Sequence, residues 1–271
     1  MNTNKLTSAH PGEKSREELF MESTSLGPDD TFQFRCTQCG KCCRNRHSGD
    51  IILSPRDIYA MSKELNMEPS DFISAYCCYI IGSQSKLPLM LFQTIGSDKH
   101  CPMLKNNRCS VHAGKPTACA LYPLGRHISS DNPETIRYVV QPIQCGRKPK
   151  TYTVRQWLEQ FGIDTEDTCY IEWSKAIDKL SPALQNLENS EDPLTVRAIQ
   201  EFALCTLYAM YDIQEPFLPQ FKENVEALIL WLSDIPGIKA EMRRCGMELP
   251  EIDMSQLSGK GHSSYLLGLG K

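Results

Sequence analysis

The residues of this chain best suited to chemistry are its cysteines, 13 in 271 residues. The densest group is Cys36-Thr-Gln-Cys39-Gly-Lys-Cys42-Cys43, two overlapping C-x-x-C steps with one further cysteine beside them. Two residues between thiolates let a tight turn aim both sulfurs at one ion about 2.3 Å away, while amides of the turn hydrogen-bond the sulfurs. Gly40 permits that turn. Three thiolates at this spacing fill three corners of a tetrahedron, or hold three irons of a cubane cluster. Neighbouring side chains diverge, so Cys43 is expected to point away from Cys42. The two then serve different centres, or one of them is a reactive thiol.

Further donors have to come from a distance. The candidates are Cys101-Pro-Met-Leu104, Cys109-Ser-Val-His112, the Lys115 to Pro123 stretch with Cys119, and Gln144-Cys145-Gly146. Each of these cysteines neighbours proline, glycine or a turn, which suits ligands on rigid loops. Joining 36–43 to 101–145 closes a loop of roughly 60 to 100 residues. Loop entropy grows only logarithmically, so a metal site contributing on the order of 10 kcal/mol offsets it. Cys77, Cys78, Cys169, Cys205 and Cys245 lie instead in apolar patterns and read as small buried hydrophobes. His47 and His112 are weaker ligand candidates. Arg35, Lys41, Arg44 and Arg46 flank the cluster, and cations there are expected to favour the thiolate.

The elements that must position these groups follow from periodicity. Residues 1–31 are polar and read as a mobile arm. Residues 32–150 form the expected cysteine-cluster domain. Within it, Ser54-Pro55 starts a helix with Ile58, Met61 and Leu65 on one face. A break at Asn66 to Pro69 leads to a second helix, capped by Ser70, on which Phe72, Ile73, Tyr76 and Tyr79 or Ile80 recur. The runs at 87–95 and 135–143 suit two strands able to pair beside the cysteine loops. A boundary is expected near residue 150. Beyond it, Val154 to Phe161, Cys169 to Leu187, Pro193 to Tyr211 and Pro216 to Leu232 carry helical spacing and should pack as a bundle over 151–250. Ile199, Phe202, Ala203 and Met210 would share one face; Phe221, Val225, Leu228 and Leu232 another. A flexible tail covers 251–271. The fold class is α+β.

Composition narrows the chemistry. A 41% hydrophobic content suffices for a real core, and no apolar run of about 18 residues is present to span a bilayer. The N-terminal residues lack a secretory pattern, so the expected compartment is the cytoplasm, where thiols stay reduced and metal outweighs disulfides. Net charge is −4, which argues against general nucleic-acid binding. Residues 32–150 hold 16 Lys and Arg against 8 Asp and Glu, and residues 151–250 hold 8 against 17. The positive excess can offset thiolates, or the two segments can dock; the acidic helices are also a candidate surface for a protein partner.

The C-x-x-C-x-x-C-C signature at Cys36 to Cys43 resembles the YkgJ-type cysteine-cluster family, a zinc- or iron-chelating domain. C-P-x-L at 101–104, C-S-V-H at 109–112 and K-P-x-x-C-x-x-Y-P at 115–123 are similar to that family's later motifs. His112 departs from its usual aromatic. The resemblance covers about residues 32–150 and implies metal ligands at Cys36, Cys39, Cys42, Cys43, Cys101, Cys109 and Cys119, with Cys145 a weaker match. Eight thiols are enough for one four-iron cluster with spares, or for two four-ligand sites. A looser similarity to flagellin lysine N-methylases implies an iron–sulfur enzyme. Against that, the chain lacks G-x-G-x-x-G and the radical-type C-x3-C-x2-C spacing. A metal-binding protein, structural or metal-handling, is the leading expectation. An iron–sulfur methylase or redox protein, with Tyr122, Arg126 or Cys43 in its pocket, is the alternative.

Overall fold

The computed structural model describes residues 25–44, 51–128, 136–143, 145–146 and 150–237. His47, Arg46 and Cys245, along with the expected tail over 251–271, lie outside the described residues. In chain order the strands are β1 (Thr31–Phe34), β2 (Ile52–Leu53), β3 (Cys77–Ile81), β4 (Pro88–Phe92), β5 (Leu104–Lys105), β6 (Arg108–Cys109), β7 (Leu124–Ile128), β8 (Ile136–Val140) and β9 (Lys150–Thr153). The helices are α1 (Pro55–Leu65), α2 (Pro69–Tyr76), α3 (Thr117–Leu121), α4 (Val154–Glu159), α5 (Thr168–Ser190), α6 (Pro193–Leu204) and α7 (Phe217–Ser233). All the strand pairs are short and antiparallel, so the fold is α+β. No helix among the described residues is long and apolar enough to cross a membrane.

Two compact units divide these elements. Residues 25–37 and 121–167 form one, and residues 38–120 and 168–237 the other. In the first unit β1 pairs with β9, and β7 with β8. Alternation along β1 buries Phe32 and Phe34 while Thr31 and Gln33 face out. Both phenylalanines meet Trp157 of α4 edge-on, with ring centroids 5.9 and 5.4 Å away. Helix α4 is fixed by a capping box in which Thr153 and Gln156 bond each other's backbone amides. Leu26 exchanges backbone hydrogen bonds with Tyr138 at 2.6 and 3.0 Å.

The second unit is built on one core that joins Leu53, Ile58, Met61, Phe72, Met90 and Val111 to Leu180, Ile199, Leu207, Phe221 and Leu228. Helix α1 begins with the expected Ser54 cap and Pro55, and Asp57 completes its capping box. It ends where Asn66 takes the left-handed conformation. Helix α2 is capped by Glu68 with Pro69 in its first turn, so Ser70 lies inside the helix and is not its cap. The helix also stops earlier than its apolar spacing suggests. Cys77 to Ile81 is a strand, because β-branched and aromatic residues there pair across to Phe92 through Pro88. Tyr79 and Ile80 therefore belong to a sheet of order β2-β4-β3.

The runs at 87–95 and 135–143 both contain strands, but these do not pair with each other. Strand β4 lies between β2 and β3, whereas β8 pairs with β7. Helix α6 gives way to a π turn at Cys205–Ala209, where the Thr206 hydroxyl bonds the Phe202 carbonyl at 2.9 Å. That turn rotates Met210 out of the expected face, leaving it 51% exposed, while Ile199 and Ala203 are buried. The α7 face of Phe221, Val225, Leu228 and Leu232 is buried as expected.

Candidate metal centre

The signature turn owes its shape to left-handed backbone at Gln38 and Gly40, with φ of 51° and 72°. Lys41–Cys43 then form one 3-10 turn, closed by the Cys43 amide donating to the Gly40 carbonyl at 3.1 Å. A Cβ on Gly40 would lie 2.8 Å from the Asn107 carbonyl oxygen and 3.1 Å from Leu104. Gly40 therefore lets the turn rest directly on the β5–β6 hairpin. Asn106 and Asn107 form the two-residue loop of that hairpin, both with positive φ, as tight hairpin turns require. Two further ties hold the pair together. The Cys101 amide donates to the Cys43 carbonyl at 2.8 Å, and Arg44 bonds both Asp98, at 2.8 Å, and the Asn107 side chain. Asp98 also accepts from His100 at 2.7 Å, and His100 first and then Arg44 hold its carboxyl below the usual range.

The thiols meet on this seat. Cys42 Sγ and Cys43 Sγ are 3.9 Å apart, so these neighbours converge where divergence was expected. A 3-10 turn that is pulled in by the Cys43–Cys101 backbone bond brings both sulfurs to one side. The Cys43 thiol also hydrogen-bonds Cys101, and that bond is the main reason its pKa rises from 9.0 to about 11. Cys42 pulls the other way, and burial and the charges of Cys101 and Cys109 push it further up. The expected lowering by flanking cations is therefore not seen at Cys43, and Arg44 directs its charge to Asp98. Cys101 is buried, Cys43 and Cys109 are half-buried, and Cys39 and Cys42 are exposed.

Cys119 sits on α3, whose start is held by a carboxylate from α1. Asp57 is buried and accepts from the Thr117 amide at 2.7 Å and from its hydroxyl at 2.5 Å, while its other oxygen caps α1. Burial, and then the charge of Lys115, lower the pKa of the His112 imidazole below its ordinary range. Cys36 and Cys145 belong to the other unit. There Gly146, with φ of 103°, lies so close to Arg35 that a Cβ would stand 2.9 Å from the Arg35 carbonyl oxygen. This close approach makes the chain at Cys145 a neighbour of the chain at Cys36. Tyr122 meets Phe34 edge-on at 5.5 Å, and Arg126 pairs with Asp167 at 2.6 Å. Both have packing or ion-pair roles in that unit. Cys77, Cys169 and Cys205 pack against the core of the second unit, and burial pushes the Cys77 and Cys205 thiols up.

Sequence reasoning missed Asp57, Asp98, His100 and Asn107. The Asn-Asn step between Lys105 and Arg108 was a readable hairpin signal. Asp57 was not readable, since its partner lies 60 residues away.

The sulfurs of Cys42 and Cys43 lie 3.9 Å apart, with Cys101 bonded to Cys43, and thiols of this kind are soft donors that suit a thiophilic ion. They are not drawn to ligand spacing, and no group of three or more Cys, His, Asp or Glu among the described residues is already arranged to hold an ion. No curated protein and no solved structure matches the chain. Residues 35–161 match the CxxCxxCC family, described as "Putative zinc- or iron-chelating domain". With the signature turn and its later cysteines in place, residues 35–161, 127 of the 271 residues, are similar to that zinc- or iron-chelating family.

Proposed function

We propose that this chain binds zinc or an iron–sulfur centre through cysteine thiolates, in a structural or metal-handling role. The observation that supports the reading is the 3.9 Å approach of the Cys42 and Cys43 sulfurs, together with the 2.8 Å backbone bond that brings Cys101 beside Cys43. Cys42, Cys43, Cys101 and Cys109 supply the core of the ligand set. Cys36, Cys39, Cys119 and Cys145 are the domain's further ligand candidates. A bound ion would replace thiol protons and lock the signature turn onto its hairpin, with structural sites of this kind contributing about 10–16 kcal/mol to folding. Arg44 and Gly40 position the turn, and Asp57 positions α3 through Thr117. The proposed compartment is the reducing cytoplasm, and the acid excess beyond residue 150 favours a protein partner over nucleic acid.

The test is metal and acid-labile sulfide analysis of protein purified without oxygen, with its visible spectrum. Zinc in stoichiometric amount and no colour indicates a structural or metal-handling site. Iron with matching sulfide and absorption near about 400 nm indicates a cluster. Protein that takes up neither metal after reconstitution contradicts the reading.

A further inference from the structure

Cysteines proposed to hold an ion are also able to react with one another in its absence, and their arrangement singles out one pair. Cys43 and Cys101 are joined twice, by the backbone N–H···O bond of 2.8 Å and by a direct thiol hydrogen bond. The two chains are therefore adjacent at Cys43 and Cys101, although 58 residues of sequence separate them. Cys42 contacts Cys43, but the two are adjacent in sequence, and closing a ring over one peptide bond strains both disulfide and backbone. The half-buried Cys43 is accessible to a small reagent, while Cys101 is buried. That order suits attack from outside followed by resolution from within. Arg44, Asp98 and Asn107 hold the two segments together independently of any ion.

We propose that the site is redox-gated: in the metal-free chain, Cys43 and Cys101 form a disulfide that blocks metal binding until it is reduced. This rests on the metal-binding reading of the same thiols. The oxidant is a small-molecule disulfide such as oxidised glutathione. Cys43 gives up its proton to solvent and, as the thiolate, attacks one sulfur of that disulfide, giving a mixed disulfide and releasing one glutathione thiolate. The Cys101 thiolate then displaces the second. Two protein thiols are oxidised, one glutathione disulfide is reduced to two glutathione molecules, and both thiol protons go to solvent or to the released thiolates. Reduction by a dithiol reverses the balance and restores two ligands.

The full chain is stripped of metal with a chelator under reductant, freed of both, and incubated with oxidised glutathione. It is then analysed by thiol titration, by mass spectrometry of tryptic peptides and by metal re-uptake. The expected result is loss of two thiols per chain and a link between the peptide Cys42-Cys43-Arg44 and the peptide His100 to Lys105. The link should persist in Cys42→Ser and vanish in Cys43→Ser. Metal re-uptake should fall at least tenfold and return with dithiothreitol, and metal-loaded chain should keep its thiols. A link confined to other cysteines, stable glutathione adducts on Cys43 without a link, or full metal uptake by the oxidised chain would overturn the proposal. Metal uptake by the reduced, untreated chain is measured in parallel. If it is absent, the metal-binding reading has failed; if it is present and no link forms, only the gating has failed.

Discussion

At the scale of single residues, Cys43 carries the most explicit consequence. Its hydrogen bond to Cys101 and its burial raise the thiol to about 11, so in the metal-free chain it is protonated near neutrality. An ion must displace that proton, and each proton released makes affinity rise about tenfold per pH unit. Competition against a chromophoric chelator between pH 6 and 8 should show this rise, and Cys43→Ala should reduce the slope; a flat profile would contradict a thiolate site. A raised thiol value also fixes a sign for stability. The contribution is whole below the unfolded value of 9.0 and is lost as pH rises through about 11. The melting temperature of the metal-free chain should therefore fall across that window. Cys43→Ala should remove only part of the fall, because burial also raises Tyr208 and Tyr211. Asp57 is the second residue with a defined effect. Asp57→Ala removes the carboxylate half of the α1 capping box and leaves the Thr117 donors without their acceptor, which should cost on the order of 2 kcal/mol in chemical denaturation.

At the scale of elements, the signature turn works because it has a hairpin to rest on. Gly40→Ala adds a Cβ 2.8 Å from the Asn107 carbonyl in a backbone with φ of 72°. It should destabilise the chain by about 1–3 kcal/mol and weaken metal uptake with it, read by denaturant titration and metal analysis. An unchanged midpoint would show that the turn does not depend on this contact. The same elements show what was legible in the sequence. Cysteine spacing, the Ser54-Pro55 helix start and the four helices after residue 150 could be read because each is a local pattern. Strand β3 could not. Phe72, Ile73, Tyr76 and Tyr79 keep helical spacing across the junction, and only pairing with β4 shows that the helix has ended. The same applies to β1 and β9, whose partners lie far apart in sequence. The convergence of Cys42 and Cys43 was hidden too, since it depends on a backbone bond from Cys43 to Cys101.

At the scale of the whole molecule, the core of the second unit joins the segment bearing Cys101 and Cys109 to helices α5, α6 and α7. Damage in those helices should therefore reach the thiols. Phe221→Ala, at a position 2% exposed, should cost about 3–5 kcal/mol and lower metal uptake through loss of the fold. Cys205→Ala should leave stoichiometry unchanged, because that thiol sits on the π turn after α6, packs against the core and is raised by burial. The central claim is that thiolates gathered around Cys43 hold the metal, and the most direct test is the metal content of the Cys101→Ser chain beside the parent, both purified without oxygen. Stoichiometric zinc or iron is expected in the parent, with most of it lost in the variant; a variant that keeps the parent's full metal content would contradict a thiolate site at Cys43.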